Sequence, residues 1–251
     1  MMTAQQNPWL VRFKENPQAT VRLICFPYAG GAANIYHKWA GLLPAWIELC
    51  AVQPPGRGSR LLEEPFTDAR SLVCAASEAL TPYLDRPFAL FGHSLGALVA
   101  FEFARHLRRQ GKPGPICMFV SGRCAPQIPE TGMPLHTLPE PQFLVELQRL
   151  NGTPDEVLAH PDLMKLMIPV LRGDFAVAET YQYLKEPPLD CRIKAFGGLD
   201  DMAINRRSLE AWKEQTANAF SLHMLPGDHF FLFTSEAYLL DLLSEQMAAS
   251  C

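Results

Sequence analysis

The pentapeptide Gly92-His93-Ser94-Leu95-Gly96 has the form G-x-S-x-G, in which a sharp strand-to-helix turn lifts a serine hydroxyl clear of a sheet. Its two glycines let the backbone make that turn. A match of five residues is weak by itself, since an ordinary turn serine satisfies the pattern by chance in about one chain in ten of this length. The setting is what makes Ser94 a candidate nucleophile. The apolar run Phe88–Phe91 precedes it, and a helical pattern with Leu95, Leu98, Val99, Glu102 and Leu107 follows, ending near Gly111.

A serine at its ordinary pKa is a poor nucleophile and needs a base; in hydrolases built on this turn, an acid and then a histidine follow the serine in chain order. Among the seven histidines, His37 precedes Ser94, His93 lies in the turn, His106 lies on its helix, and His136 and His160 fall in a later helical stretch. His223 stands inside the predicted strand Phe220–Leu225, where a packed or surface imidazole is expected. His229 follows that strand in the loop Pro226-Gly227-Asp228-His229, and catalytic groups concentrate on loops held by a rigid scaffold. His229 is therefore the candidate base. The acid belongs on the loop after the preceding strand, Gly197-Gly198-Leu199-Asp200-Asp201. Residue chemistry does not choose between Asp200 and Asp201, because either carboxylate can orient an imidazole. Asp228 reads as a solvated turn residue.

These groups need a frame. Apolar runs at Val21–Phe26, Ile47–Gln53, Phe88–Phe91, Ile116–Val120, Cys191–Phe196 and Phe220–Leu225 predict buried strands. Helical spacing predicts a helix capped by Asn34 through Ile35, Trp39 and Leu43, and another capped by Thr67 carrying Leu72, Val73, Ala76 and Leu80. It also predicts one after Ser94, one around Ser208–Thr216, and a last from Ser235 to Met247. The alternation implies an α/β fold: a mostly parallel central sheet flanked by helices, with ligands at the carboxyl ends of its strands. From Ala125 to Pro188 helical patterns (Glu140–Leu150, Thr153–Ala159, Pro161–Leu171, Phe175–Leu184) follow one another without a strand. This predicts a helical lid, residues 125–188, inserted into a core made of residues 1–124 and 189–251. Its stripes of Leu144, Leu147, Leu150, Met164, Met167 and Leu171 are expected to bury against one another rather than against a ligand.

Composition sets outer bounds. The chain has 251 residues, 48% hydrophobic and 19% charged, which suits one large domain or two small ones and excludes a disordered tail. Folding at this size buries roughly three quarters of the unfolded surface, so neither metal nor disulfide is needed. Acidic residues outnumber basic ones, 26 to 22, for a net charge of -4, which is no nucleic-acid footprint. Arg105, Arg108, Arg109 and Lys112 close the helix after Ser94, where cations ordinarily complement the helix dipole. The seven cysteines include no C-x-x-C pair and several lie inside apolar runs, which predicts buried thiols in a reducing cytoplasm. No apolar stretch reaches the roughly 18 residues of a membrane span, and Met1–Leu10 lacks a signal-peptide core, so a soluble cytoplasmic protein is expected.

The sequence resembles the type II (external) thioesterases of polyketide and nonribosomal peptide synthetases, relatives of the medium-chain acyl hydrolases of fatty acid synthesis. The likeness runs nearly end to end. It rests on Leu23-Ile24-Cys25-Phe26-Pro27-Tyr28-Ala29-Gly30-Gly31, Gln53-Pro54-Pro55-Gly56-Arg57, Phe91-Gly92-His93-Ser94-Leu95-Gly96 and Gly152-Thr153-Pro154. It continues through Leu171-Arg172-Gly173-Asp174-Phe175, Glu179-Thr180-Tyr181, Ala211-Trp212 and Pro226-Gly227-Asp228-His229-Phe230-Phe231. The resemblance implies an α/β-hydrolase fold with a helical lid. In the family's G-x-x-D loop the last position is the triad acid, which falls on Asp201 in Gly198-Leu199-Asp200-Asp201. The resemblance assigns the oxyanion hole to the backbone N–H groups of Ala29 and Leu95, the second as the turn geometry demands, and makes Tyr28 a candidate for lining the acyl site. Gly173 stands where the family usually has Ala, and Met202 where it usually has Pro.

The implied activity is hydrolysis of stalled or misprimed acyl thioesters from the 4'-phosphopantetheine arms of acyl or peptidyl carrier domains, through an acyl-serine. The enzyme is expected to act as a monomer, with no metal or cofactor and no membrane or nucleic-acid partner. Three alternatives stand beside it: a carboxylesterase or medium-chain acyl hydrolase acting on free esters or acyl-CoA, release or transfer of a finished acyl product, and a noncatalytic binding module. The last is opposed by the complete set of Ser, Asp and His candidates.

Overall fold

Seven strands make one sheet: β1 (Leu10–Val11), β2 (Val21–Phe26), β3 (Ile47–Val52), β4 (Phe88–His93), β5 (Cys117–Ser121), β6 (Arg192–Gly198) and β7 (Phe220–Leu225). The computed structural model describes residues 7–129, 132–150, 152 and 155–249. The first six residues, Thr153, Pro154 and Cys251 lie outside the described residues. The order across the sheet is β1-β3-β2-β4-β5-β6-β7, parallel throughout except for β1, an edge strand too short to read from sequence, which runs antiparallel to β3. The chain steps outward from β2 to β3 and then crosses back to lay β4 on the other side of β2. Loops leaving β2 and β4 therefore diverge, and a crevice opens at their carboxyl ends.

Strands β2 to β5 are buried at every position, as parallel strands covered on both faces must be. The helices are α1 (Trp39–Leu42), α2 (Ala69–Leu80), α3 (Leu95–Arg109), α4 (Glu140–Arg149), α5 (Asp155–Leu158), α6 (Pro161–Glu179), α7 (Arg206–Glu210), α8 (Phe231–Thr234) and α9 (Glu236–Ala248). Alternate strand residues feed two cores. Ile24, Phe26, Cys50 and Val52 pack with α2 and α3, while Leu23, Cys25, Leu49 and Ala51 pack with α1 and α9. The Leu, Ile, Val and Phe side chains among them are each worth about 1.5–3 kcal/mol when fully buried.

Several helix boundaries differ from the expectation. Asn34 caps nothing: it lies inside a 3-10 turn, Ala33–Tyr36, and the expected helix breaks before α1. Tyr36 and Trp39 both turn inward there, with rings 5.0 Å apart, and the Tyr36 hydroxyl donates to the Phe26 carbonyl. α2 is capped by Asp68 rather than Thr67, its Oδ1 accepting the Ser71 N–H at 2.8 Å. The two helices expected over 161–171 and 175–184 are one helix, α6. It runs through Pro169 and Gly173 because its buried face, including Val170, Leu171 and Val177, is continuous. Beyond it, residues 181–188 are irregular. The helix expected around 208–216 is α7, capped by Asn205, followed by a 3-10 turn at Ala211–Gln215.

α4, α5 and α6 all fall between β5 and β6 and carry a third apolar cluster. Phe143, Leu147, Met164 and Leu171 are buried in it, with Leu144 and Met167 packed alongside. Leu150 departs from the expected stripe and is exposed. The cationic end of α3 is not an open surface, because Arg105, Arg108 and Arg109 all pair with Glu186 on the segment returning to β6. Cys25, Cys50, Cys117 and Cys191 are buried. Among the described residues no helix is long and apolar enough to cross a membrane.

Candidate active site

Ser94 occupies the turn between β4 and α3 with φ 52° and ψ -117°, and it is the one described non-glycine residue with positive φ. Such a conformation costs on the order of 1–3 kcal/mol and persists only where its surroundings enforce it. Here the Ser94 N–H donates to the Ser121 carbonyl (2.8 Å) and the Ser94 carbonyl accepts the Ala97 N–H (3.0 Å). The flanking glycines are sterically required. A Cβ on Gly92 would overlap the Gly96 carbonyl, and one on Gly96 would overlap the Phe26 carbonyl, so the N-terminus of α3 lies directly on the end of β2.

His229 stands on the loop after β7, and its Nδ1 lies 2.7 Å from Asp201 Oδ2. The other carboxylate oxygen, Oδ1, accepts the N–H groups of Ala203 (2.9 Å) and Ile204 (3.1 Å). Burial pushes the Asp201 carboxyl up. The hydrogen bond and charge of His229 and the two backbone donors outweigh this and hold it below the usual carboxylate value. The Asp201 side chain is 1% exposed and that of His229 23%, so the pair presents one imidazole edge outward. With Nδ1–H donating to a carboxylate, Nε2 carries the lone pair. Asp200 is exposed and supplies only its backbone N–H, to the Gly227 carbonyl (3.0 Å), which ties the acid loop to the histidine loop. His223 packs beside Phe196 in the sheet, and Met202 is almost fully exposed.

His93, set aside above as part of the turn, proves to be a neighbour of this pair. Its ring is buried 5.1 Å from that of His229, and its Nδ1 lies 2.9 Å from Ser121 Oγ. Burial, and then the charge of His229, push its pKa well down. A neutral ring therefore lies behind the His229 imidazole. No sequence signal beyond its place next to Ser94 marks it.

β2 leads into the turn Tyr28–Gly31, closed by the Gly31 N–H on the Tyr28 carbonyl (2.8 Å). Ala29 is second in that turn, where the N–H is not used by the closing bond. Leu95 is the first residue of α3, and a helix leaves its first N–H groups without intrahelical acceptors. Both amides thus stand at the crevice between β2 and β4. Tyr28 is half-buried, its ring 5.2 Å from Phe230 and 5.9 Å from His93, and burial pushes its phenol up. Phe230 in turn stacks on Phe233 and faces His229 at 5.3 Å, while Gly152 of the inserted segment abuts the Phe230 ring. This aromatic wall was not read from the sequence; its signal was two phenylalanines three residues apart directly after His229.

Two cavities lie away from the hydroxyl. One of about 20 Å³ sits behind the Tyr28–Gly31 turn between Pro27, Leu95, Arg57 and Asp174. The other, of about 560 Å³, opens between α2, α3 and residues 180–186. Neither is lined by Ser94, His229 or Tyr28.

The sequence model of the thioesterase domain matches residues 21–247. The chain is 44% identical, over 97% of its length and 95% of the relative, to the gramicidin S biosynthesis protein GrsT of Aneurinibacillus migulanus. It is 45% identical, over 95% of its length and 92% of the relative, to a Brevibacillus parabrevis protein named linear gramicidin dehydrogenase LgrE. Among solved structures, the type II thioesterase BorB from the borrelidin biosynthetic cluster superposes with a TM-score of 0.88 at 36% identity, covering 97% of this chain and 99% of that one.

Proposed function

The chain belongs to the thioesterase family and has the α/β-hydrolase fold, and from that premise we propose that it is a type II thioesterase of nonribosomal peptide or polyketide assembly. It hydrolyses acyl groups from the phosphopantetheine arms of carrier domains. The observation that carries the reading is a serine in a strained strand-to-helix turn together with a carboxylate-held histidine, in a chain that spans BorB almost completely. The name of the Brevibacillus relative describes other chemistry. A dinucleotide fold carries G-x-G-x-x-G after its first parallel strand, and here that place is taken by Pro27-Tyr28-Ala29-Gly30-Gly31.

In this mechanism His229 Nε2 takes the proton of Ser94 Oγ as the oxygen attacks the thioester carbonyl carbon. The carbonyl electrons move to oxygen, where the Ala29 and Leu95 amides meet them. Collapse of the tetrahedral species breaks the carbon–sulfur bond, and the departing thiol takes the proton from His229. A thiol, with a pKa of about 8.5, leaves more readily than an alcohol. Water then repeats the sequence on the acyl-serine, releasing a carboxylic acid and restoring Ser94. Asp201 stabilises the imidazolium formed in each half. Residues 125–188 serve as the lid, with Tyr28 and Phe230 along the acyl path. The enzyme works as a monomer in the cytoplasm, and its buried thiols support the reducing compartment.

The test is intact-mass spectrometry of an acyl carrier protein incubated with wild type and with Ser94→Ala. Wild type should strip the acyl group and leave the free phosphopantetheine thiol, while the variant, still folded, should not. Cleavage of a simple oxygen ester with the carrier left loaded would replace this reading with an esterase.

A further inference from the structure

Two motifs are left over by this mechanism, Gln53–Arg57 and Leu171–Phe175, and the fold brings them together behind the oxyanion turn. Asp174, on α6 of the insert, is 4% exposed. Its Oδ2 accepts the Gly30 N–H at 2.7 Å and Arg57 Nη1 at 2.5 Å, and its Oδ1 accepts Arg57 Nη2 at 2.8 Å. Arg57, also buried, further donates from Nε to the Pro55 carbonyl (3.1 Å) and from Nη1 to the Gly31 carbonyl (3.3 Å). The turn that carries the Ala29 amide is thus held from both sides, by a carboxylate on the Gly30 N–H and a guanidinium on the Gly31 carbonyl.

Gly30 has φ +77°, the value for the third position of a type II turn. The central peptide of such a turn, here Ala29–Gly30, has two orientations. Asp174 accepts only the one that points N–H at it; the flipped peptide would set the Ala29 carbonyl against a buried carboxylate. Leu171, one helical turn before Asp174, covers the same place: a Cβ on Gly30 would lie 2.7 Å from Leu171 Cδ2. Two side chains of one inserted helix therefore meet the residue next to the Ala29 amide.

We infer that Asp174 is a positioning residue for the oxyanion hole, carried on the inserted helix, so that the hole is assembled only while α6 is seated on the turn after β2. An oxyanion site works because its donors are fixed before charge develops. A donor whose loop is clamped from the insert makes turnover depend on how the insert sits. The inference rests on the thioesterase reading for its substrate, though not for its geometry.

Asp174→Asn and the double variant Arg57→Gln/Asp174→Asn test it. Removing one charge strands the other in the interior and can unfold the protein, whereas removing both leaves no unpaired charge. Each variant is assayed on an acyl-N-acetylcysteamine thioester and titrated with an alkylboronic acid. In that adduct Ser94 Oγ bonds to boron, the hydroxyl proton passes to His229, and a boron-bound oxygen sits in the hole. Asp174→Asn should lower kcat about 10- to 100-fold with KM within about threefold, and weaken the boronic acid by the same factor as kcat/KM. The double variant should regain the thermal midpoint and stay slow. Unchanged boronic-acid affinity in a folded variant, or full recovery of kcat in the double variant, would overturn the inference. If wild type binds the boronic acid but cleaves no thioester, the substrate reading fails, and the boronic-acid comparison still decides the role of Asp174.

Discussion

An imidazole serves as a base only when one nitrogen is held and the other left open, and at this site Asp201 does the holding. One carboxylate oxygen faces His229 Nδ1 and the other is tied to two backbone amides, so the carboxylate is fixed before the imidazole is. Asp201→Asn keeps the shape but offers Nδ1 a donor, which favours the wrong tautomer. Its kcat should fall by about 10³- to 10⁴-fold with little loss of fold. Asp200→Asn, an exposed change one residue away, should stay within about twofold. A steady-state comparison of the two checks the assignment, and equal losses would refute it. The same bonding fixes a pH dependence. Because the folded carboxyl sits below its ordinary value, Asp201 adds stability that is complete above about pH 3.9 and is lost as pH falls through the lower folded value. Asp201 is therefore ionised wherever the enzyme works, and the acid limb of kcat/KM should contain no carboxyl ionisation. A step between about pH 4 and 5 would mean that another carboxyl governs the base.

At the scale of elements, α6 is placed by what it approaches. Gly173 lies so close to the loop before α2 that a Cβ there would be 2.8 Å from the Phe66 carbonyl and 3.1 Å from Pro65 Cβ. Ala in a helix interior ordinarily gains about 1 kcal/mol over Gly. Here a backbone carbonyl cannot step aside cheaply, so Gly173→Ala should destabilise by about 1–2 kcal/mol. It should also lower kcat, because the helix pushed outward carries Asp174. Thermal melting and kinetics on one preparation check both, and a higher melting temperature with unchanged kcat would show that the helix has room to shift. The same element shows what sequence can carry. Strands covered by helices announce themselves as mainly apolar runs, so β2 to β6 were legible within a residue or two, as was the half-buried edge strand β7. Helix ends were less so, because adjacent Thr67 and Asp68 are both cap-forming types, and the structure uses Asp68. The expected gap between Leu171 and Phe175 holds Gly173, which the structure shows to be a close contact inside one continuous helix. In the site, Ser94 lies in a local pattern and His229 in a loop whose position follows from chain order. Arg57 and Asp174 are 117 residues apart, and nothing local announces that they touch.

For the whole molecule, the insert leaves the sheet after β5 and must return to β6, and the way back is held by charge rather than by regular structure. Glu186, in the irregular segment 181–188, takes Arg105 Nη2 (2.8 Å) and Arg109 Nη1 (2.7 Å) on Oε1 and Arg108 Nη2 (2.7 Å) on Oε2, all from α3. The Tyr181 hydroxyl adds a bond to Glu102 Oε1 (2.8 Å) on the same helix. The helix that begins after Ser94 thus ends as the anchor of the insert. Burial pushes the Glu186 carboxyl up, but its hydrogen bonds to Arg108, Arg105 and Arg109 outweigh this and bring it down to about 2. A free glutamate titrates near about 4.3, so this clamp is complete above that pH and is lost as pH falls toward 2. The clamp is partly open to water, and screening holds its worth to about 1 kcal/mol. Glu186→Gln should therefore be less stable than wild type at neutral pH by about that amount, with the two urea-unfolding curves converging as pH drops from about 4 to about 2. A constant gap across that range would mean that Glu186 acts through its shape rather than its charge. If the insert is moored in this way, the variant at neutral pH should also show faster amide exchange in residues 181–188, while the strands of the sheet exchange as before.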